Sequence, residues 1–406
     1  MDSQLDSLLI LSLASGLGPI ITRRAIAAMG SAQTVVECSV HQLAQVEGVG
    51  QRKAQDLRRS MDEVLEQNLL VREKALIEEH HVTLIAFEDE SYPALLRHIS
   101  DPPPMLYVRG DIRKEDALAL AVVGARKCSG YGREQADRLS ALCVQSGLTI
   151  ISGGAMGIDT AAHHAAVRAG GRTIAVLGSG LAQPYPSENK ALFDRIAGDD
   201  NNQPRGAVIS ELPMTAPPIA QNFPRRNRIV SGMSLGVLVI EASLRSGALI
   251  TARIAAEEHG REVLALPGRV DSNSSAGCHK IIREGWATLV TNAADILDGL
   301  GETGSLLKAG MTVDEQGRDR PAAEPSLFEQ NLSDSQQKII AALSQPRQLE
   351  ELAGITGLPV HKLQADLTML QIRSAVAKEG MMYRRSRTHS PGLGRGNATN
   401  TESHPG

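Results

Sequence analysis

The residues best suited to binding an anion lie in segment 222–228, whose sequence is NFPRRNR. Arg225, Arg226 and Arg228 stand beside Asn227, and arginine forks match phosphate oxygens in a bidentate geometry. Phe223 adjoins them in a chain in which aromatic residues make up only 2%. An aromatic face beside cations is how proteins hold single-stranded nucleic acid without reading its sequence. The segment therefore favours a phosphate and base site over its alternative, a solvated basic helix face with the phenylalanine in the core.

A second candidate is a glycine-rich turn in segment 148–168, LTIISGGAMGIDTAAHHAAVR. A short apolar run leads into Ser152, Gly153, Gly154 and Gly157, and an alanine-rich helical segment follows. Such a turn presents backbone N–H groups at a helix N-terminus, where the helix dipole also favours anions. Its spacing is neither that of the ATP loop nor that of the dinucleotide fingerprint. Taken alone, it fits a phosphate site and an unliganded connection equally well.

Three further loops follow predicted strands and are expected at the same edge of a sheet. Segment 124–132, GARKCSGYG, places Arg126 and Lys127 in a glycine-rich turn before a helix. Segment 178–190, GSGLAQPYPSENK, follows the third strand of the central region. The turn 243–248, SLRSGA, precedes another helix and offers further N–H donors, although a plain helix cap is an equal alternative. These loops add cations and backbone donors to the same predicted site.

Catalytic groups are a weaker signal. Asp159 falls in the first turn of a predicted helix, where a carboxylate is favoured by the dipole or braces the loop. His163 and His164 are consecutive and so point about 100° apart on a helix, which is not metal-ligand spacing. Glu211 and Glu241 lie near strand ends without a nucleophile beside them. We predict no catalytic residue and no metal site.

Length and composition bound the class of protein. The 406 residues leave room for more than one domain, and a formal net charge of -4 means that any basic site is local. The four cysteines are not at C-x-x-C spacing, which argues against zinc and disulfides and fits a reducing cytosol. The first residues, MDSQLD, lack a basic n-region, and the apolar run after them is short. We expect a cytoplasmic protein without a membrane span.

The central region predicts an α/β fold. Continuously apolar runs, rather than alternating ones, are typical of strands that are covered on both faces. Helix-length segments separate them, which indicates an extended Rossmann-like, doubly wound parallel sheet with ligands at the carboxyl ends of its strands. The predicted strands are 118–123, 148–151, 173–177, 207–210, 236–240 and 262–266, preceded by strands at 81–87 and 105–110.

The flanking regions predict further domains. Residues 1–75 read as helices with two Gly-x-Gly turns, at 16–18 and 48–50, a pattern typical of a helix-hairpin-helix or SAM-like unit. Hairpin turns of this kind can grip a DNA phosphate, but a helical bundle without DNA is slightly favoured because the first turn has few cations near it. The α/β domain is expected over 76–300.

The C-terminal quarter predicts a linker at 301–330 and a winged-helix-like unit at 331–385. Its helices are expected at 335–343, 348–356 and 360–370, with a hairpin at 376–383 around Gly380. The polar tail, 386–406, is expected to be disordered.

Together the motifs resemble the bacterial DNA-processing protein A family (DprA, also called Smf). The resemblance rests on GAR at 124–126, SGGAMGID at 152–159, YPSEN at 185–189, NFPRRNRI at 222–229 and EASLRSGA at 241–248, in this order. It implies a protein without a catalysed reaction or a required cofactor. Such a protein binds single-stranded DNA, forms homodimers, and loads the recombinase RecA onto incoming DNA during natural transformation.

The resemblance and the loops together give the predicted DNA-binding set. One departure from the family is His279, which stands where an asparagine is usual and puts any contact there in doubt. Phe223 is expected to stack on a base. The predicted residues are Gly124, Ala125, Arg126, Lys127, Ser152, Gly153, Gly154, Met156, Gly157, Asn189, Phe223, Arg225, Arg226, Asn227, Arg228, Ser246 and Gly247.

Two other functions remain as alternatives. The glycine turn also resembles that of nucleotide phosphoribohydrolases, but those enzymes place a glutamate after it, and here Asp159 is the only nearby acid. The second alternative is a transcription regulator whose winged helix reads duplex DNA through the helix at 360–370. That segment has Lys362 as its only lysine or arginine, so a protein contact is at least as well supported.

Overall fold

The computed structural model describes residues 3–198, 203–308, 311–313, 319–321, 333–343, 345–372, 376–379 and 382–385. The chain divides into two units, Met1–Pro325 and Ser326–Gly406. The predicted tail, 386–406, and Gly380 of the predicted hairpin lie outside the described residues.

The first unit begins with a group of helices. The second and fifth of them start directly after the two Gly-x-Gly turns, with Gly18 and Gly50 as their caps in extended conformation. The helices are α1 (Ser3–Leu13), α2 (Pro19–Met29), α3 (Ala32–Glu37), α4 (Val40–Leu43), α5 (Gln51–Glu66) and α6 (Leu69–Glu79).

A nine-stranded sheet forms the centre of the same unit. The strands are β1 (Val82–Ala86), β2 (Met105–Gly110), β3 (Ala119–Val123), β4 (Thr149–Ser152), β5 (Thr173–Val176), β6 (Gly206–Ser210), β7 (Gly236–Val239), β8 (Glu262–Ala265) and β9 (Thr288–Leu289). Their spatial order is β1-β2-β6-β5-β4-β3-β7-β8-β9. Strands β3 to β9 pair in parallel, whereas β2 pairs antiparallel with β1 and with β6.

The predicted α/β architecture with a large, mostly parallel sheet is confirmed. From β3 the chain moves through β4 and β5 to β6, then returns to place β7 on the other side of β3. The loops after β3 and β7 therefore diverge at a topological switch point, where α/β sheets form their ligand crevices.

Helices connect the strands at the lengths that the sequence pattern predicts. They are α7 (Ala94–Arg97), α8 (Gly130–Gln145), α9 (Ile158–Arg168), α10 (Lys190–Ala197), α11 (Asn222–Gly232), α12 (Gly247–Arg253), α13 (Ala276–Arg283), α14 (Ala293–Gly299) and α15 (Gly301–Lys308). The predicted linker, 301–330, thus contains α15 and a short antiparallel pair, β10 (Met311–Val313) and β11 (Asp319–Pro321).

Apolar residues bury both faces of the sheet. Every residue of β3, β4, β5, β6 and β7 is buried, in keeping with their unbroken apolar sequences. The helices α1 to α6 share one continuous core with part of the sheet, and buried Glu73 of α6 accepts a 2.7 Å hydrogen bond from the Met214 amide. Desolvation raises the pKa of this carboxyl. The helical region is thus packed directly onto the α/β region.

In its described residues, the second unit has three helices and a small sheet. They are α16 (Asp334–Ala342), α17 (Leu349–Thr356) and α18 (Val360–Ile372), with β12 (Arg347–Gln348), β13 (Val376–Glu379) and β14 (Met382–Arg385). The sheet is antiparallel in the order β12-β14-β13. Among the described helices of both units, none is long and apolar enough to cross a membrane.

Candidate nucleic-acid interface

A cleft of about 720 Å³ opens at the carboxyl ends of the parallel strands, at the switch point between β3 and β7. It is bordered by the loops after β3, β4 and β7 and by the first turn of α11. Of the predicted binding residues, it brings together Gly124, Ala125, Arg126, Lys127, Gly153, Phe223, Arg226, Asn227, Ser246 and Gly247. Loops far apart in the chain therefore converge as the parallel topology requires.

The loop after β3 carries the exposed cations of the cleft. Glu241, at the end of β7, fixes this loop by accepting the Ser129 amide on its carboxylate at 2.8 Å and the Ala125 amide on its main-chain oxygen at 2.7 Å. Arg126 and Lys127 are exposed, and neither forms an ion pair with any described residue. The loop therefore presents two free cations on a rigid support.

The glycine turn after β4 forms the opposite wall, and packing explains its glycines. A Cβ on Gly153 would lie 2.5 Å from the Arg226 guanidinium, and one on Gly157 would lie 2.3 Å from the Ala125 carbonyl oxygen. Gly157 also has a φ of 86°, a region that favours glycine. The turn must therefore lack side chains to let neighbouring groups approach.

The Asp159 carboxylate binds backbone amides of the glycine turn that the sequence pattern offers to a ligand. Its carboxylate accepts hydrogen bonds from the N–H groups of Gly153 (3.1 Å) and Ala155 (3.3 Å). This is the loop-bracing role that its position predicts. Those two donors are thus satisfied within the protein and are not free to bind a phosphate.

Two buried groups of opposite charge, Asp159 and Arg226, influence each other's pKa in this wall. Burial raises the pKa of Asp159 to about 6, partly offset by the positive charge of Arg226. Burial likewise lowers the pKa of the Arg226 guanidinium to about 10, with Asp159 acting against that shift. The guanidinium donates to the carbonyl oxygens of Gly153 and Val176. Arg226 therefore ties β5 to the glycine turn while lining the floor of the cleft.

Arg228 lies away from the cleft. Its guanidinium is buried and donates to both carboxylate oxygens of Glu211 (3.1 and 2.6 Å) and to Asp101 (2.7 Å). The two carboxylates hold the pKa of Arg228 above its ordinary value despite burial. Its place in the predicted binding set is thus not supported by its surroundings, because its donors are already used. Glu211, one of the two glutamates near strand ends, is thus engaged as a partner of Arg228.

Other predicted residues also brace the site from within. The Ser152 hydroxyl donates to the Val122 carbonyl oxygen at 2.6 Å, and the buried Asn189 amide donates to the Gly154 oxygen at 2.9 Å and to the Thr160 hydroxyl at 2.8 Å. Gly154, with a φ of 64°, packs against Phe193. These residues shape the glycine turn and do not line the main cleft.

The exposed members of the set lie at different points of the rim. Met156 lines a small adjoining cavity of about 30 Å³ together with Arg126 and Phe223. Arg225 lines a separate groove beside Leu17 and Pro19 of the helical region, not the main cleft. Ser246 accepts the Ala248 amide at 3.3 Å, so it caps α12, as the alternative interpretation of that turn predicts.

An aromatic pair stands over the cleft. Phe223, half-buried, has its ring centroid 5.7 Å from that of Tyr185, and the two rings are inclined by 56°. The Arg126 guanidinium carbon lies 5.1 Å from the Phe223 centroid, within cation–π distance. Tyr185 is 44% exposed and lines the cleft. The site thus joins a cation and two rings in one place.

Tyr185 is the principal residue that the sequence-based set omits. A scarce aromatic residue in a loop after a predicted strand was the available signal. Asn273 and Ser274, which also line the cleft, are uncharged, non-aromatic residues of the loop after β8, so their residue types gave no such signal. Neighbouring His279, the departure from the family pattern, pairs its ring with the Gly268 backbone.

The histidines of α9 have surroundings that suit structural roles. His163 is buried, its pKa is lowered to about 3 by desolvation, and its ring pairs with the Thr173 hydroxyl at 2.6 Å. His164 points elsewhere and is partly exposed. Among the described residues no group of three or more His, Cys, Asp or Glu is placed to hold a metal ion. Glu241 serves as a loop support.

The structure thus defines an α/β protein with a large, mostly parallel sheet and, at its switch point, a cleft lined by cations and aromatic rings. A family model described as DNA recombination-mediator protein A matches residues 83–301. The chain is 32% identical to the protein Smf of Synechocystis sp. over 92% of its length and 97% of that protein. It belongs to the DNA recombination-mediator protein A family, whose members are named DprA or Smf.

Further relatives agree with this assignment. The DNA processing protein DprA of Streptococcus pneumoniae is 44% identical over 52% of this chain and 71% of its own. A solved X-ray structure of DprA from the same organism superposes with a TM-score of 0.64 at 34% identity, covering 73% of this chain and 98% of its own. The predicted family resemblance is confirmed.

Proposed function

We propose that this protein binds single-stranded DNA in the cleft and acts as a recombination mediator on incoming DNA, without catalysing a reaction. The observation that carries the proposal is the group formed by Arg126, Phe223 and Tyr185. A cation that tracks phosphates beside rings that stack on bases is the combination that holds single strands regardless of sequence. A duplex offers no free base faces to such rings.

The described contacts divide the work among the residues. Arg126 and Lys127 pair with phosphates, since both are exposed and without a carboxylate partner among the described residues. Phe223 and Tyr185 each offer a face to a base. Arg225, exposed on the first turn of α11, supplies a further cation at the rim. Arg226 acts from beneath, by holding the glycine turn in place.

The family and its named members support the wider role. The match to a recombination-mediator family, and the name DNA processing protein for the S. pneumoniae relative, favour handling of transforming DNA. We infer that the protein works as a cytoplasmic homodimer and loads RecA. The family match, rather than any missing ligand, is what argues against the phosphoribohydrolase alternative.

The flanking units have proposed classes too. Helices α2 and α5 begin directly after the two Gly-x-Gly turns, which supports a helix-hairpin-helix or SAM-like unit over 1–75. Three helices followed by the antiparallel pair β13 and β14 support a winged-helix class for the unit that ends near 385.

The test is a titration of fluorescent single-stranded and duplex oligonucleotides over a range of salt. We expect the wild type to prefer single strands and to weaken steeply as salt rises. In Arg126→Ala/Arg225→Ala, the slope of log affinity against log salt should fall by about 0.7 for each lost phosphate contact.

Arg72→Ala/Arg283→Ala is the matched control, because both arginines are exposed and neither borders the cleft. It should bind like the wild type. Equal affinity of the wild type for duplex and single strands, or an unchanged salt slope in the cleft variant, would contradict the proposal.

A further inference from the structure

Exposed apolar side chains gather around the cleft. Large apolar residues usually remain exposed singly, and a group of them marks an interaction site. Ile219 is 48%, Leu244 59% and Ile250 43% exposed. In the described part of the chain, exposed large apolar residues on segments that border the two adjoining cavities include Met156, Tyr185, Ile219, Leu244, Ile250 and, on the loop after β8, Val270. The proposed stacking on Tyr185 and Phe223 accounts for the exposure of Tyr185 but not for that of the aliphatic residues.

Leu244, Arg245 and Ile250 lie close together in the chain, in the turn before α12 and in its first turn, and we call these three residues the α12 patch. Leu244 and Arg245 lie at the tip of the turn between β7 and α12, which is closed by a 3.0 Å hydrogen bond from the Ser246 amide to the Ser243 oxygen. Ile250 follows on α12 and lines the cleft itself. Arg245 is exposed and forms no ion pair with any described residue.

The chemistry of the α12 patch fits a single nucleic-acid strand. Such a strand carries anionic phosphates and, unlike a duplex, leaves the apolar faces of its bases uncovered. An unpaired arginine next to two aliphatic side chains complements both features at once. Because Ile250 belongs to the wall of the cleft, a strand that stacks on Phe223 needs no second entry point to reach the patch.

We propose that the α12 patch is a second subsite for the same DNA strand. There a base packs on Leu244 and Ile250 while Arg245 pairs with an adjacent phosphate. This inference rests on the proposed function and adds a contact beyond the Arg126–Phe223 group. It makes affinity depend on strand length, because only longer strands cover both subsites.

The first experiment compares short and long oligo(dT) strands, about 4 and about 16 nucleotides, by fluorescence anisotropy. Leu244→Ala, at a residue of the patch that does not line the cleft, should bind the short strand like the wild type. On the long strand it should lose about fivefold, as expected for removing an aliphatic contact. Arg245→Ala should lose less, about threefold, and reduce the salt slope on the long strand only.

Leu65→Ala/Val71→Ala is the matched control, since both residues are exposed aliphatics on the helical region, outside the cleft. It should leave both affinities unchanged. All the substituted side chains are exposed, so the variants should keep their fold, which thermal unfolding would verify.

A second measurement tests whether the patch contacts bases. Long strands made abasic in the 5′ half or in the 3′ half should each be titrated. With one of them the wild type should fall to the affinity of Leu244→Ala, and that variant should lose no more. Such non-additivity is the signature of a direct contact.

The outcomes separate this inference from the function on which it rests. If the wild type fails to bind even the short strand, the proposed function fails. If short strands bind normally but Leu244→Ala binds long strands like the wild type, only the subsite is wrong, and the patch serves another partner, such as a protein. Additive losses from abasic strands and the variant would equally overturn it.

Discussion

The buried wall of the cleft and its exposed rim use the same residue types for opposite purposes. Arg226 in the wall is buried and donates to main-chain carbonyl oxygens, and Arg228, buried away from the cleft, donates to carboxylates. Arg126 and Lys127, which line the cleft, and Arg225, which lines a separate groove, are exposed and have no carboxylate partners among the described residues. The motif that suggested one cluster of phosphate-binding arginines thus contains two functional classes.

The difference follows from the cost of burying charge. A guanidinium taken out of water must be matched by carboxylates or carbonyl oxygens, and a site so matched has nothing left to offer a ligand. An exposed arginine keeps its hydration and exchanges it for a phosphate at little cost. Burial therefore separates the arginines that hold the fold from those that we propose to bind DNA.

The largest expected effect, on the free energy of unfolding, comes from removing a buried arginine. Arg228→Ala would leave Glu211 and Asp101 with no cation, and losing one partner of a buried pair costs about 3–5 kcal/mol of the free energy of unfolding. Urea unfolding measures it. Arg225→Ala, on the same helix but exposed, is the control and should change stability by less than about 0.5 kcal/mol. A stable Arg228→Ala protein that has lost DNA binding would contradict the proposed difference between buried arginines, which support the fold, and exposed arginines, which bind DNA.

The second prediction concerns the pH dependence of the wall. The pKa of Asp159 is about 6 in the fold, above its ordinary value of 3.8, because burial disfavours the charge. Between these values the native state holds a proton that the unfolded state releases, so this group lowers the free energy of unfolding as pH rises. Two pKa units correspond to about 3 kcal/mol.

Asp159→Asn removes this titration. Relative to the wild type, its free energy of unfolding should rise by about 2–3 kcal/mol between about pH 4 and about pH 7. Chemical denaturation of both proteins across that range measures the difference. A difference that stays constant with pH would show that the carboxyl is not held in a desolvated wall.

The smallest of the three effects tests whether the Tyr185 ring at the edge of the cleft stacks on a base. Tyr185→Ala should weaken single-strand binding by about tenfold, within the 1–3 kcal/mol typical of a stacked base. Tyr185→Phe should bind like the wild type, since it keeps the ring. Tyr131→Ala, at an exposed tyrosine that does not line the cleft, serves as control. Equal losses in the phenylalanine and alanine variants would argue for the hydroxyl instead of the ring.

Much of the fold was accessible from local sequence. Unbroken apolar runs predicted β3 to β8, because a strand that is covered on both faces buries all of its side chains and so has an apolar sequence throughout. The convergence of the loops containing Arg126, Gly153 and Ser246 also followed, since parallel strands bring their carboxyl ends to one edge.

Which residues of those loops face a ligand could not be deduced in this way. The partners of Arg228 lie 17 and 127 positions away in the chain, and no local pattern reports them. Likewise, Asp159 takes the amides of Gly153 and Ala155, and Tyr185 reaches Phe223 from another loop. Each of these depends on distant segments meeting in space.

By itself, then, the sequence determined the type of sheet, the edge that carries the site and the family resemblance, because periodicity and motif order are properties of neighbouring residues. Only the tertiary structure decided which arginines are free, which amides are already bonded and which rings meet. Those outcomes depend on burial and on partners remote in the chain. The segment NFPRRNR predicted a basic site, and the fold buries Arg226 and Arg228 against partners within the protein while leaving Arg225 exposed.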